Sequence, residues 1–302
     1  GMAQEGAIEA LSLIDCHTHL TYRDFDVDRE IVIERAHQSN VRHIVAVSEN
    51  AVDAVAVLEL ASRCPGVLAS IGLHPVQQPA STDSPDEPAR FPRCVRIEEL
   101  APVLELIRQH REQIVCIGEI GLDFSPHILL PPELASSLPA EQQAAEREQR
   151  KNAQIECFRQ QVALALELDL PVNVHSRSAS TAATVSASFE VRLEEGDAEL
   201  MMGLAGKQAV DYLIEWGAKR VVLHAFDGRA ATAAQAAKAG YVHGARAIHS
   251  RNTPSHSNTH SSRTTLPQIL LVDPTIDHAK RSTAQAAECA TDGLFTAGTS
   301  RS

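Results

Sequence analysis

The chain has 302 residues, of which 44% are hydrophobic and 22% charged, with a formal net charge of -12 at pH 7. This length suits one large α/β domain or two ordinary ones. The acidic balance argues against non-specific binding to nucleic acid, since affinity for a polyanion depends largely on Lys and Arg. Bound divalent cations, however, reverse a local field whatever the net charge. No apolar run has the length of a membrane span, so we expect no membrane association.

The N-terminal sequence and the cysteines bear on where the protein is located. The segment GMAQEGAIEA lacks a basic stretch followed by an apolar one, so we expect no secretory signal. The 6 cysteines are scattered and form no CxxC pair. This pattern argues against a disulfide framework and for a reducing compartment. We therefore expect a cytoplasmic or nuclear protein.

Short apolar strands alternate with longer helical stretches along most of the chain. The strand candidates are, in order, LIDCHTHL, RHIVAVSE, VLASIGLHP, IVCIGEIGLDF, PVNVHSRS, RVVLHAFDG, AGYVHG and LPQILLVD. This alternation indicates an α/β protein with a parallel sheet, and about eight such units favour a TIM (β/α)8 barrel. An open doubly wound sheet is the main alternative. It would usually carry a Gly-rich phosphate loop after the first strand, where this chain has HLTYRD.

Three segments interrupt the alternation. Residues 77–93 are rich in Pro, Ser and Asp, which is typical of a long surface loop. Residues 125–151 lead from a Pro-rich stretch into a charged helix. Residues 178–204 have the Ser/Thr-rich and then acidic character of an insertion. Each segment lies beside a predicted strand end, where loops of barrels grow.

The C-terminal region differs in composition from the rest. Residues 243–265 are rich in Ser, Thr, His, Asn and Arg and nearly lack large apolar side chains, so they bury too little surface to offset ordering entropy. We therefore divide the chain into a barrel of residues 1–241 and a divergent, partly disordered tail of residues 242–302. A candidate eighth strand lies near residues 268–273. This division leaves the barrel incomplete at its C-terminal end.

Imidazoles and carboxylates fall near the C-terminal ends of several predicted strands. His17 and His19 end the first strand, and their alternate spacing points both to one face. The others are His74, Glu119, Asp123, His175 and His224. Barrel enzymes place their sites at this face, and such side chains converging from several strands form a metal site. One bridging carboxylate can hold two divalent ions about 3.5–4 Å apart, as in two-metal hydrolases.

Several neighbouring residues have a structural and a functional interpretation. Asp15 lies two residues before His17 on the same face, where it would orient a histidine or a ligand water. His74 either contacts substrate or caps a loop. Arg177 and Arg229 either contact a phosphate or form surface salt bridges.

At these positions the sequence resembles the TatD family of metal-dependent deoxyribonucleases. The matching motifs are DCHTHL, IGLHPV, IGEIGLDFSP, PVNVHSRSA and LHAFDG, between Leu13 and Tyr241. The forms LDFSP and PVNVHSRSA most resemble the TatD DNase domain-containing protein 3 branch. The resemblance implies a barrel of the metal-dependent hydrolase type with two divalent ions, Mg2+, Mn2+ or Zn2+. It also implies hydrolysis of phosphodiester bonds in DNA.

The resemblance assigns a role to individual residues. His17 and His19 would bind the first ion, and His175 and His224 would bind the second. Glu119 would bridge both ions.

The C-terminal region departs from the family pattern. The family carries a TDSP-like motif at its eighth strand, whose aspartate binds the first ion and activates water. This chain has LPQILLVDPTIDHAK there, and Asp273 is the nearest counterpart. We predict Asp273 as a metal ligand and proton acceptor, so Glu119 and Asp273 are the predicted catalytic residues.

Two other functions stay open at this point. An amidohydrolase-type enzyme would hydrolyse a small molecule, but such barrels usually carry a lysine carbamate at the fourth strand, where this chain has Glu119. A variant without the eighth-strand aspartate would bind metal without turnover. The sequence indicates DNA as the substrate of the first function and points to no protein partner.

Overall fold

A curled sheet of mostly parallel strands forms the centre of the molecule. The structure is a computed structural model that describes residues 12–77, 92–177, 204–226, 228–243 and 269–272. The strands in these ranges are β1 Ser12–Thr18, β2 Val41–Val47, β3 Val67–Ile71, β4 Val76–Gln77, β5 Arg93–Cys94, β6 Ile114–Asp123, β7 Val172–Arg177, β8 Val221–Leu223, β9 Val242–His243 and β10 Ile269–Val272. The predicted α/β class is confirmed.

Helices separate the successive parallel strands. They are α1 Arg29–Gln38, α2 Ala51–Arg63, α3 Leu100–Gln109, α4 Pro126–Leu129, α5 Pro132–Ser137, α6 Ala140–Glu167, α7 Leu204–Glu215 and α8 Ala230–Lys238. The charged stretch and the apolar stretch that follows it are one continuous helix, α6, whose second half buries Phe158 and Val162. Within the described part of the chain, no helix combines the length and apolar character that a membrane span requires.

The strand order of the main sheet is β10-β1-β2-β3-β6-β7-β8-β9. All neighbouring pairs from β1 to β9 are parallel. Strand β10 differs, because it pairs antiparallel with β1, with Ser12 beside Val272 and Asp15 beside Ile269. The candidate eighth strand therefore exists, but it runs opposite to the direction that a (β/α)8 barrel requires. Within the described residues, no parallel eighth strand closes the barrel.

A glycine permits the close approach of β6 and β7 below the site. Gly121 has a φ of 139°, and a Cβ atom there would lie 2.0 Å from the carbonyl oxygen of His175. Any side chain at this position would push the two strands apart. Gly121 thus sets the separation between Glu119 and His175, which lie on these two strands.

Two buried glutamines of α6 hold the ends of β3 and β6. The side chain of Gln161 accepts a hydrogen bond from the backbone N–H of Leu73 at 2.7 Å and donates one to its carbonyl at 3.2 Å. Gln154 makes the same pair of bonds with Asp123, both at 2.8 Å. Each amide substitutes for a neighbouring strand and satisfies backbone groups that would otherwise be buried without partners.

Several predictions fall wholly or largely on residues that the structure leaves undescribed. These are the loop at residues 77–93, the insertion at residues 178–204, the tail segment at residues 243–265 and Asp273. The ends of the first segment are joined, because β4 and β5 pair antiparallel through Val76 and Cys94. The division of the chain after residue 241 stays a prediction.

Candidate metal centre

The five residues that the resemblance marks as ligands all lie at one end of the parallel sheet. His17 lies in β1, Glu119 in β6 and His175 in β7. His19 and His224 directly follow the ends of β1 and β8. Parallel strands carry their C-terminal ends to the same edge, so these side chains converge without any special loop.

The Oε2 atom of Glu119 faces the two histidines of the first strand. It lies 3.4 Å from Nε2 of His17 and 3.2 Å from Nε2 of His19. Glu119 is 2% exposed, so this carboxylate is removed from solvent.

The other oxygen of Glu119 faces a different set of imidazoles. Oε1 lies 2.5 Å from Nε2 of His224, 2.7 Å from Nδ1 of His175 and 3.4 Å from Nε2 of His74. One carboxylate therefore separates two groups of nitrogen atoms. This division has the form that a bridging ligand requires.

Asn173 fixes the orientation of the His17 ring. Its Nδ2 donates to the carbonyl of Cys16 at 2.8 Å, so its Oδ1 is the atom that accepts a hydrogen bond from Nδ1 of His17 at 3.0 Å. The proton on Nδ1 leaves a lone pair on Nε2, which has no hydrogen-bond partner among the described residues. That lone pair and the Glu119 carboxylate face each other, an arrangement that suits a cation between them.

Asp123 plays the same part for His175. Nε2 of His175 lies 3.3 Å from Oδ2 of Asp123, and its Nδ1 faces Glu119. Burial lowers the pKa of His175, but hydrogen bonds with Asp123 and Glu119 outweigh it and raise the pKa to about 9. Burial opposes ionisation of Asp123, but its hydrogen bond with His175 prevails and keeps its pKa below the usual range. A carboxylate behind a histidine is the usual arrangement around a bound metal.

Acidic side chains outnumber Lys and Arg among the buried residues of this centre. The buried acids are Asp15, Glu49, Glu119 and Asp123, whereas no Lys or Arg is buried in the part of the chain that the structure describes. Burial raises the pKa of Glu119, but His224, His74 and His17 outweigh this effect and hold it well below its usual value. Burial opposes the charged form of His224 as well and lowers its pKa. Buried charges require compensation, and divalent cations fit this set of imidazole and carboxylate donors.

Two groups of potential ligand atoms are compact enough to hold an ion. One consists of His17, Glu119 and His224, and the other of His74, Glu119 and His175, with all donor atoms of each group within 4.8 Å of one another. Glu119 belongs to both groups. The first group pairs His17 with His224, which stack on each other, although the two imidazoles face different oxygens of Glu119.

The remaining predicted residues lie around this centre or outside the described residues. Asp15 accepts a hydrogen bond from the backbone N–H of His17 at 3.2 Å. Arg177 ends β7 and is exposed, and Arg229 is exposed directly before α8. Asp273 is not among the described residues.

Sequence reasoning missed two residues that contact the ligand set. Asn173 lies two positions before His175 on the same face of β7, so strand alternation offered a signal for it. Tyr22 stacks on His19, with ring centroids 4.8 Å apart and an interplanar angle of 12°. Its phenol donates to Glu49, and nothing in the spacing of these residues predicts that contact.

Fold and site together define an α/β barrel protein with a buried imidazole–carboxylate centre for divalent cations. The sequence model of the family described as TatD related DNase matches residues 14–282. The chain belongs to this family.

Individual relatives support the same placement. Human deoxyribonuclease TATDN3 is 34% identical over 232 residues, which are 76% of this chain and 66% of the human one. The metal-dependent hydrolase YabD of Bacillus subtilis is 33% identical over 168 residues, which cover 56% of this chain and 52% of YabD. The predicted resemblance to the TatD family, and within it to the TatD DNase domain-containing protein 3 branch, is confirmed. The chain nevertheless spans only 62 to 66% of the mouse and human relatives.

More distant relatives carry a nuclease name or a solved structure. The 3'-5' ssDNA/RNA exonuclease TatD of Musicola paradisiaca is 29% identical over 168 residues, covering 55% of this chain and 50% of that protein. The crystal structure of YJJV, a TatD homolog from Escherichia coli, is 23% identical and covers 76% of this chain and 66% of that chain, with a TM-score of 0.49.

Proposed function

We propose that this protein is a metal-dependent hydrolase that cleaves phosphodiester bonds of DNA with two divalent ions. The observation that carries the proposal is the position of Glu119. Its two oxygens face separate pairs of imidazoles, His17 with His19 and His175 with His224. A carboxylate shared in this way matches the ligand arrangement of two-metal hydrolases.

The residues of the chain would act mainly by holding and orienting. Two bound Mg2+, Mn2+ or Zn2+ ions would supply polarisation of a phosphoryl oxygen and a lowered pKa for the attacking water. Asn173 and Asp123 hold the rings of His17 and His175 so that one nitrogen of each is directed toward Glu119. His74, in the loop after β3, presents Nε2 to the same carboxylate and would contact a substrate oxygen beside it.

DNA as the substrate is supported by the family and by the names of relatives, which include a deoxyribonuclease and an ssDNA/RNA exonuclease. The net charge of -12 is unfavourable for a polyanion. We therefore propose that the ions, together with Arg177 and Arg229, bind the phosphate. A guanidinium makes two parallel hydrogen bonds to a phosphate, which suits this role.

The mechanism also needs a group that accepts the proton of the attacking water. The sequence selects Asp273, which lies outside the described residues. The preceding residue, Val272, pairs with Ser12, at the end of β1 opposite to His17 and His19. The antiparallel pairing of β10 departs from the barrel pattern, and it favours the alternative of a protein that binds divalent ions without turnover.

A nuclease assay separates the two functions. The full chain is incubated with labelled single-stranded DNA and Mg2+, Mn2+ or Zn2+, beside Glu119→Gln, Asp273→Ala and, as a control, the exposed Glu98→Gln. We expect metal-dependent cleavage by the wild type and by Glu98→Gln, and none by Glu119→Gln. Equal activity of Asp273→Ala would remove Asp273 from the mechanism. Metal binding without cleavage of DNA would establish the alternative.

We also infer a cytoplasmic or nuclear location. It is supported by the free thiols of the described residues, which are Cys16, Cys64, Cys94, Cys116 and Cys157. Structural disulfides are typical of oxidising compartments and free buried thiols of reducing ones.

A further inference from the structure

The segment directly after β2 contacts two other loops and β6 at the centre, although no motif marks it. The carbonyl of Ser48 accepts a hydrogen bond from the backbone N–H of Glu119 at 3.2 Å. The carbonyl of Glu49 accepts one from the backbone N–H of His74 at 2.9 Å and one from Nε2 of Gln77, also at 2.9 Å. The backbone of this segment therefore helps to hold both Glu119 and His74.

The side chain of Glu49 reaches a third part of the centre. It is 7% exposed, and its Oε1 accepts a hydrogen bond from the phenol of Tyr22 at 2.5 Å. The Tyr22 ring lies nearly parallel to the imidazole of His19, at 4.8 Å between centroids. A chain of contacts thus connects a buried carboxylate to one of the imidazoles that face Glu119.

Within the described part of the chain, His19 has fewer hydrogen bonds to fix its ring than His17 has. His17 is oriented by Asn173. In contrast, Nδ1 of His19 is buried and has no hydrogen-bond partner among the described residues. With no acceptor behind the ring, the stacked face of Tyr22 helps to fix the plane of the His19 imidazole, whose Nε2 faces Glu119.

Glu49 is itself held in place by α2. Its backbone N–H donates to Oδ2 of Asp53 at 2.9 Å, and Oδ1 of Asp53 accepts a hydrogen bond from Thr21 at 2.5 Å. Asp53 therefore links the loop that carries Tyr22 to the segment that carries Glu49. Asp53 thereby helps to hold the backbone of Glu49 and the residue next to Tyr22 in position.

We propose that Glu49 is a positioning residue of the metal centre: its carboxylate fixes the Tyr22 ring, and that ring sets the plane of the His19 imidazole. The inference deepens the proposed function, since it presumes that His19 is a metal ligand. Outer contacts of this kind typically change metal affinity 10- to 100-fold when they are removed.

Conservative variants separate this role from a purely structural one. Tyr22→Phe keeps the stacked ring and removes the hydroxyl, whereas Glu49→Gln keeps the shape and removes the charge. The matched controls are the exposed Glu98→Gln and Tyr212→Phe, since Tyr212 stacks on Trp216 at 4.9 Å away from the centre.

Binding of Co2+ to the full chain is followed by visible absorption, whose bands report the ligand geometry, and thermal unfolding is measured in parallel. We expect Glu49→Gln and Tyr22→Phe each to weaken Co2+ binding about ten-fold and to shift its bands. The double variant should be no weaker than the stronger single one, because both act through one chain of contacts. In the nuclease assay kcat should fall while KM stays constant.

Other outcomes overturn the proposal. Co2+ affinity and bands that equal those of the wild type in both variants would do so, as would a lowered unfolding temperature with unchanged bands. A wild type that binds no Co2+ would contradict this proposal and the proposed function together. A wild type that binds Co2+ without cleaving DNA would contradict the proposed function alone, and the variants would still decide the role of Glu49.

Discussion

The imidazoles inside the strands and those just beyond the strand ends are held in different ways. His17 and His175, which we call the floor pair, lie within β1 and β7, and each ring is oriented by a hydrogen bond that Asn173 or Asp123 accepts. His19 and His224, the rim pair, follow strand ends, and the Nδ1 atoms of both are without hydrogen-bond partners in the described ranges.

The rim pair depends on ring stacking instead. His19 stacks on Tyr22, and His224 stacks on His17 with centroids 3.7 Å apart and an interplanar angle of 1°. A hydrogen bond fixes both the tautomer and the direction of a lone pair, whereas a stacked neighbour fixes only the plane of a ring. Hydrogen bonds therefore preorganise the rings of the floor pair, whereas we expect a bound ion to fix the final orientation of the rim pair.

The largest expected effect comes from the residue that serves both pairs. Glu119→Gln removes the charge that faces all four imidazoles, so activity on single-stranded DNA should fall about 10^3-fold or more, on the order of losing a charge-stabilising group. His74→Ala should cost less, about 10- to 100-fold, because it removes one contact to a charged group. Initial rates and metal content of both variants test this order. Equal losses with unchanged metal content would contradict the assigned roles.

Removal of metal tests whether the ions complete the rim. A ligand present at 100 times its dissociation constant stabilises a protein by about 2.7 kcal/mol. Treatment with a chelator should therefore lower the unfolding temperature of the wild type by a few degrees, and Mn2+ should restore it. Glu119→Gln should unfold at the same temperature with and without chelator. A chelator effect that persists in this variant would place the stabilising ion elsewhere.

The floor pair should be sensitive to its hydrogen-bond acceptors. Asn173→Leu keeps the approximate shape of the side chain but removes the acceptor for Nδ1 of His17, so metal affinity should fall 10- to 100-fold. Isothermal titration with Mn2+ measures this loss. Gln160→Leu, on α6, provides a comparable amide replacement away from the centre. An Asn173→Leu protein with wild-type affinity would mean that the floor is no better preorganised than the rim.

The smallest expected effect concerns an ion pair remote from the proposed ions. Arg93 binds the carboxylate of Glu99 through two nitrogens, at 2.6 and 3.1 Å. Burial raises the pKa of Glu99, but the Arg93 hydrogen bonds outweigh it and lower the pKa below 4.5. A carboxyl group whose pKa is lower in the folded state stabilises the fold at pH values above its unfolded pKa. This stabilisation is lost as the pH falls through the folded-state pKa. Since the pair is partly exposed, it contributes less than about 1 kcal/mol.

Urea unfolding measures this last effect. The wild type should exceed Glu99→Gln in stability at pH 7, and the difference should shrink as the pH falls through 4.5 toward 3. Chelator should leave the difference between the two proteins unchanged. A stability difference that changes with metal would show that this ion pair is energetically coupled to the metal centre.

The sequence predicted which polar side chains converge better than it predicted the residues that hold them. His17, Glu119 and His175 stand out because polar side chains at the ends of apolar strands are unusual and parallel strands bring those ends together. Asn173 is a polar residue on an equally apolar strand, but an amide has no metal chemistry that draws attention to it. Glu49 follows a strand end as well, and its importance comes from Tyr22, which lies 27 residues away in the sequence.

The direction of β10 lies beyond this kind of reasoning. Four apolar residues, Ile269–Val272, predict a strand, yet their pattern is the same read from either end. The direction of a strand is set by its connections to neighbouring strands. The segment before β10 is poor in apolar residues, so its sequence does not indicate how the connection runs. The length of α6 was missed for a related reason, because its charged first half has no buried face that marks it as part of the same helix.

The two buried glutamines of α6 restrict how this part of the chain can change in evolution. Gln154 and Gln161 are separated by two helical turns, about 10.5 Å along the axis, and they hold the ends of β3 and β6. Inserting or deleting one residue between them would rotate one amide by about 100° and release one strand end. The helix can lengthen or shorten freely before Gln154, where most side chains face solvent. We therefore expect relatives to vary in length in that exposed half while the spacing between the two amides stays at seven residues.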